Sequence, residues 1–417
     1  MPDQSLRTVA EHLAAALSLV SPLPAVRIPL EEADGHVLAE DVRAPSLLPR
    51  WDNSAMDGYA VRAQDVAGAT DGDPVSLEVL ADLAAGSDEE PTVRRGTAAR
   101  IMTGAPVPPG ADAVVPVEVT DGGTVTVLVR RPAAEGAHIR RAGEDVQAGD
   151  VVLATGTLLG PAQVAAAASV GCSGLSVHRR PRVAVLSTGS ELVPPGAALR
   201  RGQIPDSNSY LLAASVRAAG CDVVRVGAVP DERDALRSVL DEQLGAVDAV
   251  VTSGGVSMGA YDVVKEVLAR EAGMAFVQVA MQPGKPQGLG RLGGTPVFAL
   301  PGNPVSALVS FEVFVRPALL RLRGLADVER PRVMVVVDDG WRTPPGRAQY
   351  MPVALVDDGP AGVPTGERVP HVRRAVSGGS GSHLVAGLAR AEGLAMVPAE
   401  VDEVRPGDRV RVMWVDR

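Results

Sequence analysis

The amino-acid sequence predicts a multidomain protein of class α/β plus β. A doubly wound, largely parallel α/β domain is joined by an inserted β-rich domain and a small C-terminal β domain. Three observations carry this. From Arg182 onward, apolar runs rich in Val and Ala (RVAVLST, CDVVRVGAV, DAVVTS, TPVFALPGNP) lead into helical patterns, the signature of βα units. On both sides of that region, short strand patterns are punctuated by Gly, Pro and Asp turns. Finally, 417 residues leave room for about three domains, with 46% hydrophobic residues to fill their cores.

In chain order, MPDQSLRTVAEHLAAALSLV has no basic region followed by an apolar core and carries Glu11 within its pattern. It is expected to be an amphipathic helix rather than a leader. RIPLEEADGHVLAEDVRA follows as strand, turn and strand. The stretch from Pro45 to about Arg131 is β-rich, with SLEVLADLAAG, TAARIMTGAPVPPGADAVVPVE and TVTVLVR as strand-bearing segments. Val151 to Val177 carries no charge and is long enough to span a bilayer, but it is rich in Ala, Gly, Ser and Thr and interrupted by Gly160-Pro161. The expectation is a strand, a turn and a buried helix begun by Pro161, in a protein with no membrane span and a cytoplasmic location. The α/β region supplies helices SNSYLLAASVRAAG (with Ser207 as its expected cap), DERDALRSVLDEQL, DVVKEVLAREAG and PVSALVSFEVFVRPALLRLRG. The tail returns to strands in RVMVVVDDGWR, QYMPVALV, GLAMVPAE and RVRVMWV. The expected division is 1–44 with 137–179 as a discontinuous N-terminal domain, to which the resemblance given below assigns dimerisation, 45–136 inserted, 180–326 as the α/β domain and 327–417 as the C-terminal β domain.

Composition excludes several functions. The formal net charge is −10 and no Lys/Arg run exceeds two residues, so a general nucleic-acid surface is not expected. With 3 Trp, 4 Tyr and 4 Phe, base-stacking platforms are not expected either. Two cysteines, Cys172 and Cys221, build neither a disulfide framework nor a zinc cage, and the six histidines include no HExxH pair. The ligand should be small. Of 40 basic residues only Lys265 and Lys285 are lysines. Lys265 lies in the helical pattern YDVVKEVLAR and is assigned to a solvated face.

Ligands of open α/β sheets bind beyond the carboxyl ends of the strands, and here those loops are small and polar. They are Ser187-Thr188-Gly189-Ser190-Glu191, Pro230-Asp231, Ser253-Gly254-Gly255-Val256-Ser257, Gln282-Pro283-Gly284-Lys285-Pro286 and Pro301-Gly302-Asn303-Pro304. Glycines let backbone N–H groups approach an anion. Glu191, Asp231 and Asp262 on that edge suit Mg²⁺, a hard ion that bridges phosphates. Lys285, held between Gly and Pro, offers a compact fixed charge for an oxyanion. Two further segments are candidates: Asp52 to Tyr59, which Asx turns explain equally well, and Arg100 to Pro106, where Thr103 is also readable as a buried hydroxyl.

Taken together, DNSAMDGYAVR, RIMTGAPVPPGADAVVPVE, VAVLSTGSEL, SGGVSMGAYD and ALPGNPVSALVSFEVFVRP resemble the molybdopterin molybdenumtransferases, the bacterial MoeA family and the E domain of gephyrin. The resemblance runs in order along essentially the whole chain. It implies an elongated homodimer whose α/β domain is of the molybdopterin-binding type, with active sites shared between subunits. It also implies a reaction in which adenylylated molybdopterin and molybdate give molybdenum cofactor and AMP, with Mg²⁺. A molybdopterin adenylyltransferase would stand upstream and molybdoenzyme maturation proteins downstream.

Carried over by position, Asp57 and Thr103 resemble the contributors from the opposite subunit. Glu191 and Asp262 resemble the Mg²⁺-associated pair, with Asp231 and Lys285 among the catalytic groups. The substrate-binding set implied is Ser187, Thr188, Gly189, Ser253, Gly254, Gly255, Ser257, Pro286, Pro301, Asn303 and Arg347, together with Ser380 and Ser382. Where the family often reads KPGKP, this chain has Gln282-Pro283-Gly284-Lys285-Pro286, so anion affinity is expected to lean on Lys285 and Arg347. Two alternatives compete: molybdopterin adenylylation by the α/β domain, and a non-catalytic dimeric scaffold or ligand carrier.

Overall fold

The computed structural model describes residues 6–256, 263–271, 273–356, 369–376 and 385–415. At its centre is a six-stranded sheet in the order Asp222–Val229, Arg182–Thr188, Ala249–Ser253, Thr295–Leu300, Pro286–Leu292, Met274–Gln278. The first four strands are parallel. Alternation along them sorts the side chains to two cores. Val183 and Val185 face helices Asn208–Ala218 and Pro304–Ser310, while Ala184 and Leu186 face helices Arg233–Gln243 and Val263–Leu268. The predicted doubly wound layout is thus present.

The sheet is less parallel than expected, because its last two strands form an antiparallel hairpin. Pro286–Leu292 is not among the strands expected from the sequence, and its QGLGRL stretch is glycine-rich. Those glycines are required by packing: a Cβ on Gly288 would lie 2.7 Å from the Phe276 ring, and one on Gly290 would lie 2.0 Å from the Gly273 carbonyl. Local composition spoke against a strand; contact with neighbouring strands decided for one. The cap of Asn208–Ala218 also differs. Ser207 is already in the helical region and makes no side-chain cap, whereas the Asp206 carboxylate accepts from the Ser209 N–H at 3.0 Å and its hydroxyl at 2.5 Å.

Helix Val9–Ser18 opens with a capping box in which the Thr8 hydroxyl accepts from Glu11 N–H and the Glu11 carboxylate from Thr8 N–H. Its Ala16 packs into the α/β core with Phe311 and Phe314. Segments on either side of the β-rich block pair with one another. Ala25–Pro29 and Val37–Leu38 flank Gly174–His178, and Val42–Arg43 pairs with Val151–Leu153. The Ala-rich helix does begin at Pro161 and runs to Ser169. The intervening block forms a five-stranded sheet ordered Ala113–Pro116, Gly58–Val61, Thr97–Ile101, Val75–Leu83, Thr126–Val129.

The tail closes on itself. Ala348–Val356 pairs with both His371–Arg374 and Gly393–Val397, and Arg332–Val337 and Arg409–Trp414 complete a small barrel. One strand from the α/β region, Met281–Gln282, joins it in parallel alongside Ala348 and Gln349. Among the described residues, no helix is long and apolar enough to cross a membrane.

Candidate active site

The carboxyl ends of the parallel strands open into a cleft of about 1420 Å³. Each of the five strand-end loops singled out from the sequence contributes to its lining, and the barrel adds Arg347. The floor begins where Arg182–Thr188 and Ala249–Ser253 end side by side, with Ser187 opposite Ser253 in the register. Gly254 has φ +104°, and a Cβ there would meet the Thr188 carbonyl at 2.5 Å, so the two loops touch only because that residue is glycine. Asn208 ties three elements together: its amide donates to Ser253 Oγ at 2.7 Å and to the Gly302 carbonyl at 2.6 Å. Ser253 Oγ in turn donates to the Pro301 carbonyl at 3.3 Å. Around this network the buried atoms Ser187 Oγ, Thr188 Oγ1 and Asn208 Oδ1 have no hydrogen-bond partner among the described residues. Buried polar atoms are normally paired, so a cluster of exceptions along one cleft marks a place prepared for polar company.

The loop after the first strand is clasped to the one after the second. Ser190 N–H donates to the Asp231 carboxylate at 3.2 Å, and Asp231 N–H donates to Ser190 Oγ at 3.1 Å. Asp231 therefore has a positioning contact as well as a place in the cleft wall. Glu191 lies in the same wall, its carboxylate folded back so that a Cβ on Gly189 would be 2.8 Å from each of its oxygens. Pro286 and Asn303 line the cleft too, with Asn303 at the N-cap of helix Pro304–Ser310 and Pro304 at its first position, as predicted.

Among the described residues two cations reach the cleft, Lys285 and Arg347, and neither takes part in an ion pair there. They come from different domains. The Ala348 N–H donates to the Ala280 carbonyl at 2.9 Å, and this parallel pairing sets Arg347, the residue before the strand, beside the Gln282–Pro286 loop. Gln282 itself lines the cleft as a neutral amide.

Among the described residues, no cluster of three or more His, Cys, Asp or Glu side chains is arranged to cage a metal ion. The donors present are oxygens, with Glu191 the exposed carboxylate at the cleft. That set fits Mg²⁺ held by one or two carboxylates and completed by substrate phosphates, not a metal bound by protein alone. Ser257, Asp262, Ser380 and Ser382 lie outside the described residues.

Asp57 and Thr103 do not line this cleft. They sit together on the β-rich domain, where both the N–H and the hydroxyl of Thr103 donate to Asp57 Oδ1 at 2.7 Å. The Thr103 N–H first, then its hydroxyl, hold the Asp57 carboxyl below the usual carboxylate range. Asp57 is thus an exposed, fixed anion. Thr103 is exposed as well, so the buried-hydroxyl reading does not apply. Sequence reasoning missed Asp206, Asn208 and Ser306, all in the cleft lining. Helix N-terminal position could have flagged the first two; nothing local distinguishes Ser306.

Fold and site together define a multidomain α/β protein with a β-barrel docked at the mouth of a cleft lined by small polar loops and by Lys285 and Arg347. The chain matches three family descriptions in succession: MoeA N-terminal region (domain I and II) over 7–171, probable molybdopterin binding domain over 184–321, and MoeA C-terminal region (domain IV) over 334–415. It is 46% identical over 413 residues to molybdopterin molybdenumtransferase 2 of Mycobacterium tuberculosis (strain ATCC 25618 / H37Rv), covering 98% of this chain and 99% of that one. Molybdopterin molybdenumtransferase 1 of the same strain is 39% identical over 430 residues, with the same shares covered. The crystal structure of a molybdopterin biosynthesis MoeA protein from Pyrococcus horikoshii superposes with a TM-score of 0.82 at 31% identity, covering 98% of this chain and 99% of that one. The chain belongs to the molybdopterin molybdenumtransferase (MoeA) family.

Proposed function

We propose that the protein inserts molybdenum from molybdate into adenylylated molybdopterin and releases AMP, in molybdenum cofactor biosynthesis. One observation carries this most directly: Lys285 and Arg347, without ion-pair partners among the described residues, converge from two domains on a cleft whose floor holds unpartnered polar atoms. Such a site suits a tetrahedral dianion and a phosphate. Lys285 and Arg347 bind and orient the anions, the Ser187–Thr188 and Ser253–Gly255 loops pack against them, and Glu191 faces the phosphate side. Bound Mg²⁺ would neutralise charge developing on the leaving phosphate. No Ser-His-Asp or Cys-His constellation is found among the described residues of the cleft, so catalysis rests on positioning and electrostatics rather than a protein-linked intermediate.

The same reading makes the protein a homodimer in which Asp57 and Thr103 of one subunit complete the cleft of the other. Their ordered, exposed geometry away from their own cleft supports it. Adenylylation is not favoured, because relatives named as molybdenumtransferases align from end to end and all three family regions are present. The test is direct: purified protein is incubated with adenylylated molybdopterin, molybdate and Mg²⁺, and AMP and reconstituting cofactor are measured. Absence of molybdate-dependent AMP release would reject the assignment.

A further inference from the structure

We propose that Gln287 and Ser310 form a buried clamp that presets Lys285 for oxyanion binding, making Gln287 a positioning residue of the cleft. Gln287 is 1% exposed and Ser310 0%, so neither meets bulk solvent. The Gln287 side-chain amide donates to the Gly284 carbonyl at 2.6 Å and to Ser310 Oγ at 2.7 Å. The Gly284 carbonyl belongs to the peptide that enters Lys285. The peptide that leaves Lys285 is held as well, its carbonyl accepting from Val279 N–H at 2.7 Å. Both peptides flanking the Lys285 Cα are therefore pinned, and Pro286 further restricts its backbone.

The clamp also decides what the preceding residue is. Gly284 has φ +98°, and a Cβ there would stand 2.9 Å from Ser310 Oγ. Ser310 is the last residue of helix Pro304–Ser310, whose first turn contributes Pro304 and Ser306 to the cleft lining. The helix then passes into the π-helical turn Phe311–Val315, just before Pro317, which has no N–H to give an ordinary helical ladder. Gln287 thus locks the lysine loop to the element bordering the same cleft. A flexible four-carbon ammonium gains most from such a fixed base, because less freedom is lost when the anion arrives.

This inference rests on the cleft taking an oxyanion as proposed above. Gln287→Met keeps volume and removes both donors; Ser310→Ala removes one contact and keeps the Gln287–Gly284 bond. Molybdate binding by calorimetry, and the KM for molybdate in AMP release, are measured for both, for Lys285→Met, and for Gln287→Met combined with Lys285→Met. The expected result is a roughly tenfold weaker molybdate affinity in Gln287→Met, an intermediate loss in Ser310→Ala, and kcat at saturating molybdate within about threefold of wild type. The double variant should be no weaker than Lys285→Met alone, since the clamp acts through the lysine. Additive losses in the double variant, or an unchanged molybdate KM in Gln287→Met, would overturn the clamp while leaving the proposed function intact. If Gln287→Met does not fold, Ser310→Ala with and without Lys285→Met gives the same cycle. Wild-type protein that binds no molybdate would overturn both proposals.

Discussion

Lys285 shows how little a side chain's identity says without its setting. The sequence offers two lysines among many arginines, and only one of them lines the cleft. Lys285→Arg retains the charge but replaces a compact ammonium with a planar fork. It is expected to raise the KM for molybdate severalfold, and Lys285→Met should raise it by about ten- to a hundredfold, the equivalent of a charge-assisted contact of ~1.5–3 kcal/mol. Molybdate-dependent AMP release measures both, and wild-type behaviour of Lys285→Met would make the lysine a bystander. Glu191 is tested separately. Glu191→Gln preserves shape and removes a charged oxygen donor, so the Mg²⁺ concentration giving half-maximal AMP release should rise about tenfold or more, with an unaltered melting temperature. An unchanged Mg²⁺ titration would remove Glu191 from the metal site.

Elements were legible where their local pattern agreed with their packing. The Val- and Ala-rich strands Arg182–Thr188, Ala249–Ser253 and Thr295–Leu300 are buried on both faces, and their runs announced them. Pro161 and Pro304 start helices as their fixed φ suggests. The exceptions are Pro286–Leu292, where glycines serve close approach between strands, and the helix after Asp206, where capping moved one residue. Helix Val9–Ser18 carries a consequence that sequence pattern alone did not suggest. Its His12 is buried, edge-on to Phe314 with ring centroids 4.6 Å apart, and Arg7 lies 3.5 Å from its Nδ1. Burial first, then the Arg7 charge, push its pKa down to about 4. The neutral ring is thus favoured when folded. Its contribution is present above the unfolded value near 6.5 and is lost as pH falls toward about 4. The unfolded chain binds the extra proton in that window, a difference of roughly 3 kcal/mol at most. Melting temperature should fall between pH 7 and pH 4, and fall less steeply in His12→Leu. Parallel curves for the two proteins would exclude His12 as the source.

At the scale of the molecule, the cleft draws on parts far apart in the chain. Arg347 reaches it because Ala348–Val356 adds to Met281–Gln282, a pairing between the barrel and the α/β region. Asp57 and Thr103 remain outside it within one chain. If two chains share each site, subunits carrying Asp57→Ala and subunits carrying Lys285→Met should complement when mixed and assayed at molybdate well below the raised KM of Lys285→Met. Hybrid dimers would hold one site with both changes and one with neither, so up to a quarter of all sites in a statistical mixture should regain activity. Mixed dimers that form, verified by size and tag exchange, yet stay as inactive as either parent would refute the shared site.

The sequence alone determined the βα rhythm from Arg182, the polar loops at the strand ends and the order of recognisable segments, because each is written in neighbouring residues. It could not show that QGLGRL is a strand, that Asn208 joins three elements, or that Gln287 holds the base of Lys285. Those facts depend on atoms that only packing brings within about 3 Å, Asn208 with Ser253 and Gly302 and Gln287 with Ser310 among them. Burial makes such contacts matter: an amide sealed from water costs free energy for each polar atom the fold leaves unpaired. Periodicity selects the elements, but only their packing selects the partners.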